Sequence, residues 1–389
     1  MDGSDPRLVP SPVGAPAPGH VPAPVDVPAP AGLGWDDLWA AAYAPFAAGG
    51  RRPARVIAAH RDAWVVATDT GDRDATISGR LRHEAVRPGD LPAVGDWVAA
   101  DADPDVAGPA VITAVLPRRS AFRRSADDGT LASEQVLASN VDTALVVTGL
   151  DGDFNLRRLE RYLAVAWSGG APPVILLNKA DVAADPDGFR LAAEAIAPGV
   201  DVRLITALTG EGVEALAIDH LAPGRTAVVL GSSGAGKSTL VNTLMGEERM
   251  RTAAVRADDA RGRHTTTHRE LLRLPGGALL IDTPGIRSLG VAGADAGLAP
   301  TFADVIDLAS GCRLADCRHE REPGCEVRAA LTDGRLSEER FASHRKLERE
   351  AAHVARQGDR LLREADARKW RTIQAAGREH MARKYGSDR

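Results

Sequence analysis

The chain has 389 residues, 44% of them hydrophobic and 26% charged, with a formal net charge of −5. That length favours several domains over one, and no apolar run reaches the roughly 18 residues of a membrane span. The start, MDGSDPRLVP, lacks a basic stretch followed by an apolar one, and three cysteines exclude a disulfide framework, so a cytoplasmic protein with no membrane partner is expected.

Charge is unevenly spread: −4 over residues 1–48, +2 over 49–124, −10 over 125–339 and +7 over 340–389. A basic tail on an acidic body suits nucleic-acid contact, because Lys and Arg displace phosphate counterions, and suits a solvated charged helix equally. Residues 1–34 hold 9 of the 25 prolines, a composition that buries no core, so 1–48 is read as a Pro/Ala-rich, largely disordered tail. Within it, 36–46 can form a short helix with Trp35, Leu38, Trp39 and Tyr43 on its apolar side. Residues 49–118 then read as five short strands, RVIAAH, AWVVAT, DATISGRLR, DWVAAD and AVITAVL. Strands of this length and spacing suit a five-stranded OB-type barrel able to bind RNA.

From residue 141 the pattern changes. VDTALVVTGL, PPVILLNKAD, RLITALTG, TAVVLGSSGAGKST and GGALLIDTPG are apolar runs ending in polar loops, and 156–167 has helical spacing. Buried strands alternating with helices predict a mostly parallel sheet covered on both faces, over residues 119–300. Beyond 300 the strand runs stop, and 337–373 reads as one or two helices.

Residues 231–238, GSSGAGKS, match G-x-x-x-x-G-K-[ST] in full, between a strand pattern and a helix pattern. Gly231, Ser232, Ser233, Gly234, Ala235, Gly236, Ser238 and Thr239 are the expected nucleotide-contacting set, with Lys237 reaching the β- and γ-phosphates and Ser238 facing Mg²⁺. Asn178, Lys179 and Asp181 (NKAD) point to guanine. A carboxylate at 181 accepts from N1–H and N2–H₂, a donor pair adenine lacks. Lys179 is expected along the base and Asn178 between neighbouring loops, while Thr206, Ala207 and Leu208 resemble the loop whose backbone N–H meets guanine O6. Asp282 of DTPG (282–285) is a candidate for the Mg²⁺ shell and Gly285 for the γ-phosphate. Thr266, in GRHTTT (262–267), is the candidate that closes on Mg²⁺.

The motif order is NKAD, TAL, GSSGAGKS, GRHTTT, DTPG, so the fold is expected to be a circularly permuted P-loop GTPase, which a fold tolerates when its ends lie close and exposed. A P-loop kinase or ATPase is the competing enzyme reading, and NKAD argues against it. Ile286 stands near the place where Ras-like enzymes use a glutamine to orient water, so slow intrinsic hydrolysis is expected. Gly234 gives no basis for a potassium requirement.

All three cysteines lie in GCRLADCRHEREPGC. Cys312, Cys317 and Cys325 with His319 suit one structural, tetrahedral Zn²⁺ that staples a loop-rich segment. The C-terminal region, 301–389, is therefore read as a zinc-binding helical module with a basic tail.

The permuted motifs, AVGDWV (93–98) and CRLADCRHEREPGC together resemble the ribosome small-subunit-dependent GTPase A family (RsgA, also called YjeQ), over about residues 50–350. The resemblance implies an OB domain, a GTPase domain and a zinc domain in that order. It implies GTP hydrolysis stimulated by the 30S subunit late in its maturation, binding to 16S rRNA near the decoding centre, and release of another assembly factor. It further implies that His264 supplies the missing catalytic role beside Lys237 and Thr266. A monomer is expected. Arg80, Arg82, Arg118, Arg119, Arg123 and Arg124 around Phe122 are the candidate RNA contacts. The reading from another class is a nucleotide-gated RNA scaffold whose hydrolysis is incidental.

Overall fold

A computed structural model describes residues 29–47, 49–60, 62–102, 108–124, 135–248, 269–282 and 295–356. His264, Thr266 and Gly285, most of the proline-rich start and the tail beyond 356 lie outside the described residues.

Five strands close a barrel: β1 (Arg52–Ala59), β2 (Trp64–Thr68), β3 (Gly71–Ile77), β4 (Trp97–Asp101) and β5 (Ala110–Val115). Neighbours run β1-β2-β3-β5-β4, and β4 pairs back onto β1; β3 and β5 are parallel and the other pairs antiparallel. Alternate residues such as Val56, Val66, Ile77, Val98 and Ile112 fill the interior. One predicted strand is shorter than expected. DATISGRLR stays extended only to Ile77, because the Ser78 hydroxyl accepts from Leu81 N–H and caps a helix, α2 (Gly79–Glu84). Arg80 and Arg82 therefore stand on this helix, exposed, and not on a strand face.

The second sheet uses β8 (Thr143–Gly149), β9 (Pro173–Asn178), β10 (Asp201–Ile205), β11 (Thr226–Gly231), β12 (Arg269–Arg273) and β13 (Leu279–Asp282), preceded by a hairpin, β6 (Ala121–Arg124) and β7 (Gln135–Ser139). The order is β10-β9-β8-β11-β13-β12, parallel except at β12. β8 and β9 are almost wholly buried, as strands covered on both faces must be. The helices are α3 (Leu156–Ser168), α4 (Pro186–Ile196), α5 (Val213–His220) and α6 (Lys237–Met245). The two sheets are continuous. β1 shifts register between Val56 and Ala58 and then pairs Ala58 and Ala59 with Glu270 and Arg269 of β12.

The junction is filled by the segment that the sequence placed in a tail. Helix α1 (Asp37–Ala47) buries Trp39 and Tyr43, Leu33 before it is fully buried, and Trp35 packs edge-on against Trp97 at 4.7 Å. Leu38 does not join this face; it is 69% exposed. Arg55 of β1 is buried at the centre. It donates to Leu33 O, to Gly95 O at 3.3 Å, to Asn140 O at 3.4 Å and to Thr226 Oγ1 at 2.8 Å, and so ties four segments together. Burial pulls its guanidinium down to about 10, which leaves it charged at neutral pH. AVGDWV also acquires a structural reason. Gly95 has φ +96°, and a Cβ there would lie 2.1 Å from Ser139 O. Asp96 is fully buried and accepts two bonds from Arg118, at 2.8 and 2.6 Å.

That pair corrects part of the predicted RNA platform. Arg118 is half-buried and held by the buried Asp96, Arg119 pairs with Asp36 and stacks on Trp39 at 4.2 Å, and Phe122 is 1% exposed and so has no face for a base.

The C-terminal region packs α7 (Asp295–Thr301), α8 (Ala303–Ser310), α9 (Glu326–Asp333) and a helix over 338–356 around Phe302, Val305, Val327 and Leu347. It docks on α3 through apolar packing, with Ala164 of α3 in the same buried cluster, and through charge. Glu160 of α3 is fully buried and accepts from Arg340 Nη1 at 2.9 Å and from the Ser343 hydroxyl. Arg340 also donates to Thr301 O and to both Asp304 oxygens, at 2.8 to 3.1 Å. Arg161 and Glu350 add a two-pronged pair at 2.8 and 2.9 Å. Among the described residues no helix is long and apolar enough to cross a membrane.

Candidate functional site

The sheet brings three loops together at the carboxyl ends of β9, β10 and β11, where helix N-termini and exposed N–H groups gather. Asn178 closes the arrangement. It is 2% exposed, donates to Ala235 O at 2.8 Å and accepts from Ala207 N–H at 2.9 Å. One amide thus joins the 231–238 loop to the 206–208 loop, residues 57 and 29 positions away. Gly236 makes room for it: at φ +95°, a Cβ there would sit 2.0 Å from Asn178 Nδ2.

Lys179 adopts a left-handed backbone, φ +64°, and donates to Gly234 O at 2.9 Å and to Asp151. Asp181 follows in a single 3-10 turn, Ala180–Val182, and is exposed. Thr206 is buried, its N–H bonded to Glu211 O at 3.0 Å. Ala207 O accepts from Thr243 at 2.6 Å, and Leu208 is 81% exposed. The arrangement leaves a carboxylate and an apolar side chain exposed on loops that Asn178 holds side by side.

The 231–238 loop links β11 to α6. Lys237 starts the helix and donates to Ser232 O; Ser233 is exposed, and Ser238 and Thr239 follow on the first turn, half-buried. The N–H groups at the start of a helix and the ammonium together suit a phosphate. Asp282 is half-buried at the end of β13, the strand beside β11. Two groups escaped the sequence reading: Asp151, which meets Lys179, and Asp153, which meets the Ser232 hydroxyl. Their one sequence signal was the doublet DGD after an apolar strand.

In the C-terminal region, Cys312, Cys317, His319 and Cys325 present ligand atoms all within 4.8 Å of one another. Cys312 Sγ lies 3.6 Å from His319 Nδ1 and 3.9 Å from Cys325 Sγ; His319 Nδ1 lies 3.4 Å from Cys325 Sγ. A tetrahedron of bonds near 2.3 Å has edges of about 3.8 Å, so the donor set fits a zinc ion. Cys325 caps α9, accepting from Arg328 N–H at 3.4 Å. Desolvation raises the Cys312 thiol, but the Val327 and Glu326 N–H groups at that helix start and the neighbouring thiols outweigh it and leave its pKa lowered. His344 is no ligand. It is buried against Phe302, ring centroids 5.1 Å apart.

Comparison with known proteins agrees with this geometry. A family model described as RsgA GTPase matches residues 115–292. A protein of Opitutus terrae named small ribosomal subunit biogenesis GTPase RsgA is 51% identical over 349 residues, covering 88% of this chain and 95% of that one. Its namesake in Streptomyces coelicolor is 43% identical over 356 residues, covering 91% and 95%. Among solved structures, YjeQ from Thermotoga maritima aligns with a TM-score of 0.56 at 24% identity, over 76% of this chain and 97% of that one. YloQ, described as a circularly permuted GTPase, aligns with 0.53 at 22%, over 80% and 96%. Both show the same fold.

Proposed function

The chain belongs to the RsgA GTPase family, and on that premise we propose that it hydrolyses GTP to GDP and phosphate during maturation of the small ribosomal subunit. It acts in the cytoplasm as a monomer that binds the 30S particle through 16S rRNA. The observation that carries the nucleotide half of this reading is the Asn178 tie, which sets a base-reading loop and a phosphate loop side by side. In this reading Asp181 selects guanine, Lys179 and Leu208 flank it, and the Ala207 loop faces O6. Lys237 and the N–H groups of 231–238 hold the phosphates. Ser238, Thr266 and Asp282 would hold Mg²⁺, which supplies charge neutralisation at the β- and γ-oxygens when bound. Gly285 would contact the γ-phosphate, and His264 would orient the attacking water when the subunit is bound.

The test is the GTPase rate with and without purified 30S particles at moderate salt. A large stimulation is expected, and it should collapse in His264→Ala. No stimulation by 30S would overturn the ribosomal assignment. The cysteine–histidine cluster holds one structural zinc. Freshly purified protein should contain about one zinc per chain, and a strong chelator should unfold the C-terminal module, since such sites contribute about 10–16 kcal/mol of folding free energy. Metal analysis giving well under one zinc per chain contradicts the assignment.

A further inference from the structure

The turn between β8 and α3 carries two carboxylates that reach both loops of the nucleotide site. Asp151 accepts from Lys179, whose ammonium also meets Gly234 O at 2.9 Å. Asp153 Oδ2 accepts from the Ser232 hydroxyl and, at 3.4 Å, from Gly149 N–H, while its Oδ1 accepts from Arg158 Nη2 at 2.7 Å. The Ser232 carbonyl in turn accepts from Lys237. Carboxylates beside a triphosphate would repel it, but each of these faces a cation of its own, Lys179 for Asp151 and Arg158 for Asp153. Arg158 is itself held in place, because its N–H donates at 3.0 Å to Asn155, the residue that caps α3.

The loop that Asp153 touches has much freedom to lose. Gly231, Gly234 and Gly236 all lie at positive φ, where the backbone tolerates many conformations. Ser232 stands between the first two, and a charge-assisted bond to its hydroxyl removes part of that freedom before nucleotide arrives.

We propose that Asp153 is a positioning residue for GTP binding and hydrolysis. By accepting the Ser232 hydroxyl it fixes the first half of the phosphate loop and, through the Ser232 carbonyl, the resting place of the Lys237 ammonium. The proposal rests on residues 231–238 being the phosphate loop, and its test separates the two ideas.

The full-length protein is titrated with a fluorescent methylanthraniloyl-GDP, and steady-state GTP hydrolysis is measured alongside. Asp153→Ala and Ser232→Ala should each weaken binding about tenfold. The double variant should be no weaker than either single one, because both remove the same bond. Asp153→Asn keeps a partner for the hydroxyl and should recover part of the loss. KM should rise more than kcat falls. Ser232→Ala alters one half-buried loop hydroxyl, so it reports on the bond even if Asp153→Ala folds poorly. Wild-type affinity in Ser232→Ala, or losses that add in the double variant, would overturn the proposal. Lys237→Ala is the reference. If it binds normally, the phosphate-loop reading falls and the proposal with it; if it loses binding while Asp153→Ala does not, only the proposal falls.

Discussion

Arg340→Ala should destabilise the docking of the C-terminal module on α3 by at least about 1.5–3 kcal/mol, the range for losing a charge-assisted hydrogen bond, and short of a fully stranded ion pair because Glu160 keeps Arg157 and Ser343 as donors. Glu160 is fully buried and Arg340 only 6% exposed at the side chain, so water cannot replace the lost partner. Arg157 also reaches Glu160, but it is 37% exposed and belongs to the same helix, so it cannot hold the module. The deletion further removes donors to Thr301 O and Asp304 and a guanidinium stacked 4.5 Å from the Phe302 ring. Hydrogen exchange over 338–356 is the measurement, and it should accelerate strongly. Replacing Glu160 and Arg340 together by Met should be far milder than either single loss, since no charge is left buried. Exchange in Arg340→Ala as slow as in the wild type would show that apolar packing alone holds the module.

Asp181→Asn should lower the preference for guanosine nucleotides at least about a hundredfold, because a neutral amide can no longer accept both N1–H and N2–H₂. Affinity for xanthosine nucleotides should rise in step, since xanthine offers a carbonyl where guanine has an amine. The substitution falls in an exposed turn, so the fold should be untouched. Calorimetric titration with GDP, XDP and ADP checks it. An unchanged order of affinities would remove Asp181 from base recognition.

The features legible in the sequence were those made by neighbours in the chain. GSSGAGKS, NKAD and the Cys/His run are local patterns, and the strands that precede the first two follow from hydrophobic periodicity. Helix α3 was expected at 156–167 and spans Leu156–Ser168. Features made by distant pairs were illegible. Glu160 looks like any charge on an amphipathic helix until Arg340, 180 residues later, arrives beside it. Arg118 and Phe122 looked like a nucleic-acid platform because a buried Asp96 and a packed hairpin leave no mark on a basic stretch. At GRLR, one serine hydroxyl overrode an extended pattern, a choice that side-chain alternation does not record.

β1 is a shared beam. Its first half closes the barrel against β4, and its last two residues pair with Glu270 and Arg269 at the margin of the nucleotide sheet. Arg269 comes two residues after the threonine-rich stretch 262–267. The barrel wall and the residue that follows the 262–268 stretch, in which His264 and Thr266 lie, are thus joined by main-chain pairing, so a displacement of the barrel would bear on that residue directly. The barrel is less a tethered accessory than a handle.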